Sequence, residues 1–148
     1  MTTEIFTAII AVAGSVVLAG SSYWFTKKRE REAEIRKEKL EHYKEFVVCL
    51  SGVVSGESTP DAQRAFALVC NRLNLVAPQA VISALQEYQD EIKISNSEKS
   101  QEVHNKLMSK LFYAMRRDLQ VTPPDNYDFH VALWASGVAP QKTRKIVR

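Results

Sequence analysis

Three histidines, two cysteines and one acidic run are the residue types in this 148-residue chain that could carry chemistry. His42, His104 and His130 lie far apart, and none sits in a zinc-binding or catalytic-triad pattern. Cys49 and Cys70 fall in apolar, helix-like contexts and match no zinc spacing. In a reducing cytoplasm both read as buried thiols. Glu87, Asp90 and Glu91 would share one face at a helix end. Three carboxylates so placed could hold a cation, but a solvated acidic face is the plainer reading. The five glycines are scattered, so no glycine-rich loop is available to cradle a phosphate. These observations predict no catalytic residue, no metal site and no cofactor.

Two arginine arrangements remain. Arg64, Arg72, Arg116 and Arg117 form a candidate anion-binding set, because guanidinium groups suit bidentate phosphate contact. Arg116 and Arg117 also suit a helix C-terminus, where cations offset the dipole. Separately, Arg36 and His42 have five residues between them. That spacing resembles the Arg-x4-6-His motif of the HEPN ribonucleases. Lys37 stands where that family usually carries Asn, Asp or His, and the pair falls in a charged stalk, so the likeness predicts no nuclease.

The elements that must position all of this begin with residues 5–25, IFTAIIAVAGSVVLAGSSYWF. As a helix, these 21 residues span about 31 Å, close to the ~30 Å hydrocarbon core of a bilayer. Tyr23 and Trp24 suit the headgroup layer, and Lys27, Lys28 and Arg29 follow at once. The positive-inside rule then predicts a single-pass anchor in a bacterial inner membrane, N-terminus outside and C-terminal domain cytoplasmic. A cleaved signal peptide is the competing reading. It wants a basic leading region and a shorter apolar run, whereas this chain opens with Glu4 and no Lys or Arg.

Within the anchor, Thr7, Ala11, Ser15 and Ala19 recur every four residues on one helix face. Small residues at that spacing let helix backbones approach closely in lipid, so the strip predicts a homo-oligomer interface. Only Thr7 and Ser15 are polar along it, which is little for the lining of a conducting pore.

Charge is divided along the chain. Residues 27–45 hold eight basic and six acidic side chains. Residues 46–136 hold eight basic and ten acidic ones. Lys142, Arg144, Lys145 and Arg148 make the end basic. A slightly acidic folded part argues against nucleic acid as a partner. Basic groups beside the anchor suit an anionic lipid surface, at ~1 kcal/mol each.

Four segments follow from these patterns: an anchor over 1–26, a charged helical stalk over 27–45, a cytosolic bundle over 46–136 and a basic flexible tail over 137–148. In the stalk, Glu32–Arg36 and Glu34–Lys37 have the spacing of helix-surface ion pairs. Thr59-Pro60-Asp61 reads as a helix start and Pro78 as another. Val103, Leu107, Leu111, Met115 and Leu119 outline a long helix that Pro123-Pro124 would end, with Asp125 capping a last short one. The fold class expected is all-α.

The runs HYKEF, VAPQAVISAL and AMRRDL resemble small, uncharacterised bacterial single-pass membrane proteins with a cytosolic helical domain, over roughly residues 40–120. That likeness implies no activity. The expected function is a membrane-anchored, self-associating module that docks a protein partner. The alternative is an oligomeric, membrane-perturbing anti-phage effector with a ligand-sensing cytosolic domain.

Overall fold

A computed structural model describes residues 2–54 and 59–133; the side chains of residues 2 and 4–13 lie outside that description. The described residues form four helices and no strand: α1 (Thr2–Val54), α2 (Pro60–Val76), α3 (Gln79–Ile92) and α4 (Gln101–Asp118). The chain is all-α. It divides into two compact units, Met1–Glu38 and Lys39–Arg148.

The first unit is helical from Thr2 onward. Val16, Val17, Leu18, Tyr23, Trp24 and Phe25 are all exposed. Trp24 meets Phe25 edge-on at 5.2 Å, and Lys28 sits over the Trp24 ring at 5.5 Å. Lys27 pairs with Glu30 at 2.7 Å, which raises the pKa of its ammonium. Glu32 reaches back to Lys28 at 3.9 Å and makes no pair with Arg36. Glu34 and Lys37 likewise form no ion pair among the described residues; in the open, such pairs are worth only tenths of a kcal/mol. Among the described residues no helix is long and apolar enough to cross a membrane. Residues 5–13, the first part of the apolar run, have side chains outside that set.

The second unit is a bundle. Tyr43, Phe46 and Leu50 come inward from α1, and Phe66, Val69, Cys70 and Leu73 from α2. Val81, Ala84, Leu85 and Tyr88 come from α3, and Met108, Leu111 and Met115 from α4. Each set repeats every three or four residues, as one face of a helix must. Burial begins at Tyr43, 4% exposed, within the segment read as stalk.

The helix starts follow the sequence signals. Thr59 caps α2, its side chain accepting from the Ala62 N–H at 3.2 Å, with Pro60 in the first turn. Pro78 precedes α3. Between α3 and α4, Glu91 accepts from the Ser100 N–H at 2.9 Å and from Asn96 Nδ2 at 3.1 Å, closing the loop.

α4 departs from expectation twice. Met108 takes the buried place next to Leu111, while Val103 stays 42% exposed, so the inward face is rotated from the stripe that began at Val103. The helix also stops before the prolines. Gln120 adopts φ 56°, the Gln120 N–H bonds Arg117 O, and the Val121 N–H bonds Arg116 O. That is the Schellman pattern, closed by a glutamine in place of the usual glycine. No further helix follows within residues 119–133, and Asp125, expected to cap one, holds Arg116 instead. The basic end with Lys142, Arg144, Lys145 and Arg148 lies outside the described residues.

Candidate functional site

α4 has two faces. Inward are Met108, Leu111 and Met115; the outward row is Val103, Lys106, Lys110, Tyr113 and Arg117, of which Tyr113 alone is buried. The outward set is spaced by three or four residues, so it forms one continuous stripe. Beside it α3 presents Ala80, Ala84 and Glu87. Two alanines leave room that larger side chains would fill.

Residues 125–131 run antiparallel along this stripe and are strapped to it at three points. Arg116 grips Asp125 through Nε at 2.8 Å to Oδ2 and Nη2 at 2.7 Å to Oδ1. This hydrogen-bonded pairing holds the Asp125 carboxyl below its ordinary range and the guanidinium above its own. Tyr113 Oη meets the carbonyls of Asn126 and Phe129. Ser109 Oγ donates to Asn105 O at 2.8 Å and accepts from the Val131 N–H at 3.0 Å. The strap therefore uses side chains at 116, 113 and 109, one helical turn apart.

Between α3, α4 and the strap lies a cleft of about 720 Å³. That volume is within the usual range for small-ligand sites. Its walls carry Tyr113, Tyr127 and Phe129, and its edge carries Lys106, Lys110, Arg117 and His130. Tyr127 meets Tyr113 edge-on at 5.1 Å, and Arg117 lies over the Tyr127 ring at 5.5 Å and contacts its hydroxyl. Among the described residues, Glu87 is the one lining acid, bonded to Lys110 at 2.6 Å. Lys106 has no ion pair among the described residues.

A second hollow, about 500 Å³, is a shallow apolar groove between α1 and α4. Leu40, Val47, Val48, Phe112 and Leu119 line it. Among the described residues that line it, Lys44 and Arg116 are the charged ones. Val48 is 71% exposed.

The residues singled out from sequence fall as follows. Thr7 and Ala11 have side chains outside the description, while Ser15 and Ala19 are exposed on α1. Tyr23, Trp24, Lys27, Lys28 and Arg29 are exposed on the same helix. Arg64 lies 3.4 Å from Asp61, Arg72 lies 2.5 Å from Glu45, and Arg116 holds Asp125. Of the four arginines, Arg117 alone lines the cleft. Glu87, Asp90 and Glu91 point to separate partners: Lys110, Lys93 and the Asn96–Ser100 turn.

His104 packs against Tyr88 with ring centroids 5.2 Å apart, and burial lowers its pKa despite Glu91 nearby. His130 lines the cleft. Cys70 is buried, and desolvation pushes its thiol up to about 11, so it is a poor nucleophile at neutral pH.

Sequence reasoning missed Lys106, Lys110, Tyr127 and Phe129. The Val103-Lys106-Lys110-Tyr113-Arg117 spacing was a readable signal for the α4 wall. Nothing local announced that residues 127–130 fold back beside it.

No protein-family model, curated protein or solved structure matches this chain.

Proposed function

We propose that this protein is a membrane-anchored, self-associating interaction module whose cytosolic helical unit docks a protein partner. The observation that carries the docking is the α1/α4 groove, apolar along its floor, with its rim cations Lys44 and Arg116 already paired to Glu41 and Asp125. Such a groove suits an amphipathic helix of a partner protein, laid with its apolar face inward. A cluster of exposed apolar side chains is otherwise a liability on a solvated domain.

The anchor rests on the apolar run over residues 5–25 and the aromatic and basic collar at Tyr23, Trp24, Lys27, Lys28 and Arg29. Exposed Val16, Val17 and Leu18 fit lipid contact better than water. Thr7, Ala11, Ser15 and Ala19 serve self-association. A cysteine introduced beside the N-terminus should react with an impermeant reagent in intact bacteria. Reaction only after permeabilisation would refute the N-out topology.

Docking is tested with a photoreactive amino acid at Val48 of the full-length protein in its membrane. The expected adduct is with a different protein, maps to the apolar face of an amphipathic helix, and disappears on Leu40→Asp. Adducts with a second copy alone would reassign the groove to self-association. Absence of any adduct would reject docking there.

The cleft favours a second reading, an oligomeric membrane effector triggered by a small ligand. Overexpression with that trigger would then depolarise cells, whereas a docking module leaves the membrane potential intact.

A further inference from the structure

We infer that the cleft between α3, α4 and the strap binds a nucleoside phosphate, ring against Tyr127 and Phe129 and phosphate at Lys106. This inference concerns the cleft alone and stands independently of the α1/α4 docking groove.

The first observation is aromatic. Tyr127 is 58% and Phe129 70% exposed although both line a concave wall. The strap spends its hydrogen bonds on the Asn126 and Phe129 carbonyls and the Val131 N–H. The rings are thus held in place from the backbone; Phe129 stays open to solvent, while Tyr127 already meets Tyr113 and Arg117 on part of its ring. Arg117 already stacks on Tyr127 at 5.5 Å, so a planar ring there meets both an aromatic face and a guanidinium edge.

The second observation is ionic. Lys106 and Lys110 lie one turn apart on the same α4 stripe, with Arg117 further along it. Lys110 is neutralised by Glu87 at 2.7 and 2.6 Å to its two oxygens. Lys106 and Arg117 are therefore the lining cations without an acidic partner among the described residues. Arg117 is turned to Tyr127, which leaves Lys106 to meet an anion, and Glu87 opposes one at Lys110. A ligand that uses both features must carry a planar ring and a negative group. A nucleoside phosphate is a simple compound with both. No base edge is read by a buried donor, so binding should follow ring size, purines above pyrimidines.

The test is calorimetric titration of the full-length protein in zwitterionic nanodiscs with AMP, GMP, CMP and UMP. Adenosine and inorganic phosphate serve as half-ligands. The expected result is saturable nucleotide binding, with AMP at least tenfold tighter than either half. Lys106→Ala and Tyr127→Ala should each weaken AMP about tenfold or more, by loss of the anion contact and of stacking. Both side chains are exposed, so neither change empties the core.

Glu87→Gln supplies a test in the opposite direction. Freeing Lys110 should tighten AMP several-fold while leaving adenosine unchanged, which a merely structural effect would not do. Four outcomes would overturn the inference: no saturable binding of any nucleotide; phosphate or adenosine alone binding as tightly as AMP; AMP affinity indifferent to Lys106→Ala and Tyr127→Ala; or Glu87→Gln weakening AMP.

Discussion

Tyr43 donates its phenolic proton to Asp118 Oδ2 across 2.7 Å, joining α1 to the last residue of α4. Lys39 Nζ reaches the other oxygen, Oδ1, at 2.8 Å. Burial first, and then the Asp118 carboxylate, hold the Tyr43 phenol neutral well above its ordinary pKa. The pair matters because Tyr43 is almost fully buried and its hydroxyl would otherwise have been desolvated without an acceptor.

Removing Asp118 should therefore cost more than removing Lys39. Asp118→Ala strands a buried hydroxyl, worth about 2 kcal/mol. Loss of a carboxylate from a helix C-terminus returns about 0.5 kcal/mol of that. Lys39→Ala should cost about 1 kcal/mol, because the Asp118 carboxylate left behind keeps its Tyr43 hydrogen bond and the freed Oδ1 can take up water. Unfolding monitored by circular dichroism, with Tyr43→Phe completing a double-mutant cycle, checks this. A coupling energy near zero between Tyr43 and Asp118 would reject it.

Tyr88 presents the opposite situation. Its Oη is buried and has no hydrogen-bond partner among the described residues. Desolvation raises its pKa far above the ordinary phenol value. Tyr88→Phe should then stabilise the bundle by about 1 kcal/mol, since the ring remains and only the stranded hydroxyl is removed. The readout is Tm; a lowered Tm would mean that the hydroxyl is satisfied.

Two positions should accept stabilising backbone changes. Gln120 holds φ 56° in the Schellman closure of α4, so Gln120→Gly should relieve about 1 kcal/mol of left-handed strain. Gly52 lies inside α1, where an added Cβ would meet Ala62 Cβ at 3.8 Å, an ordinary contact. Gly52→Ala should gain about 1 kcal/mol of helix propensity. Denaturant midpoints rising in both variants, with unchanged slopes, would agree; a fall in either would locate strain that these geometries do not contain.

His104 makes stability depend on pH in a definite direction. Burial against Tyr88 lowers its folded pKa below the unfolded value of about 6.5. The unfolded chain then binds the proton more readily, so stability is full above about pH 6.5 and falls on acidification toward the folded pKa. His104→Gln should flatten that slope. If wild type and variant lose stability in parallel between pH 7 and 5, His104 is not the group responsible.

The all-α class, the Thr59 and Pro78 helix starts and most of the inward faces were legible in the residues themselves. Capping, proline geometry and three-to-four spacing act within a turn or two of chain. What lay beyond the sequence was decided by contacts between distant segments. Met108 is buried where Val103 was expected, because the face of α4 that turns inward is set by its packing partners and not by its own spacing. Glutamine, unfavoured at positive φ, ends α4 because the Arg116 and Arg117 carbonyls find their donors there. Asp125 abandons a capping role because Arg116, nine residues earlier, offers a two-pronged charge-assisted bond. The cleft exists only because residues 125–131 fold back along α4, a placement set by three side chains and by two alanines on a neighbouring helix. Local free energies write helices into a sequence; a cavity is a relation among elements, and packing alone determines it.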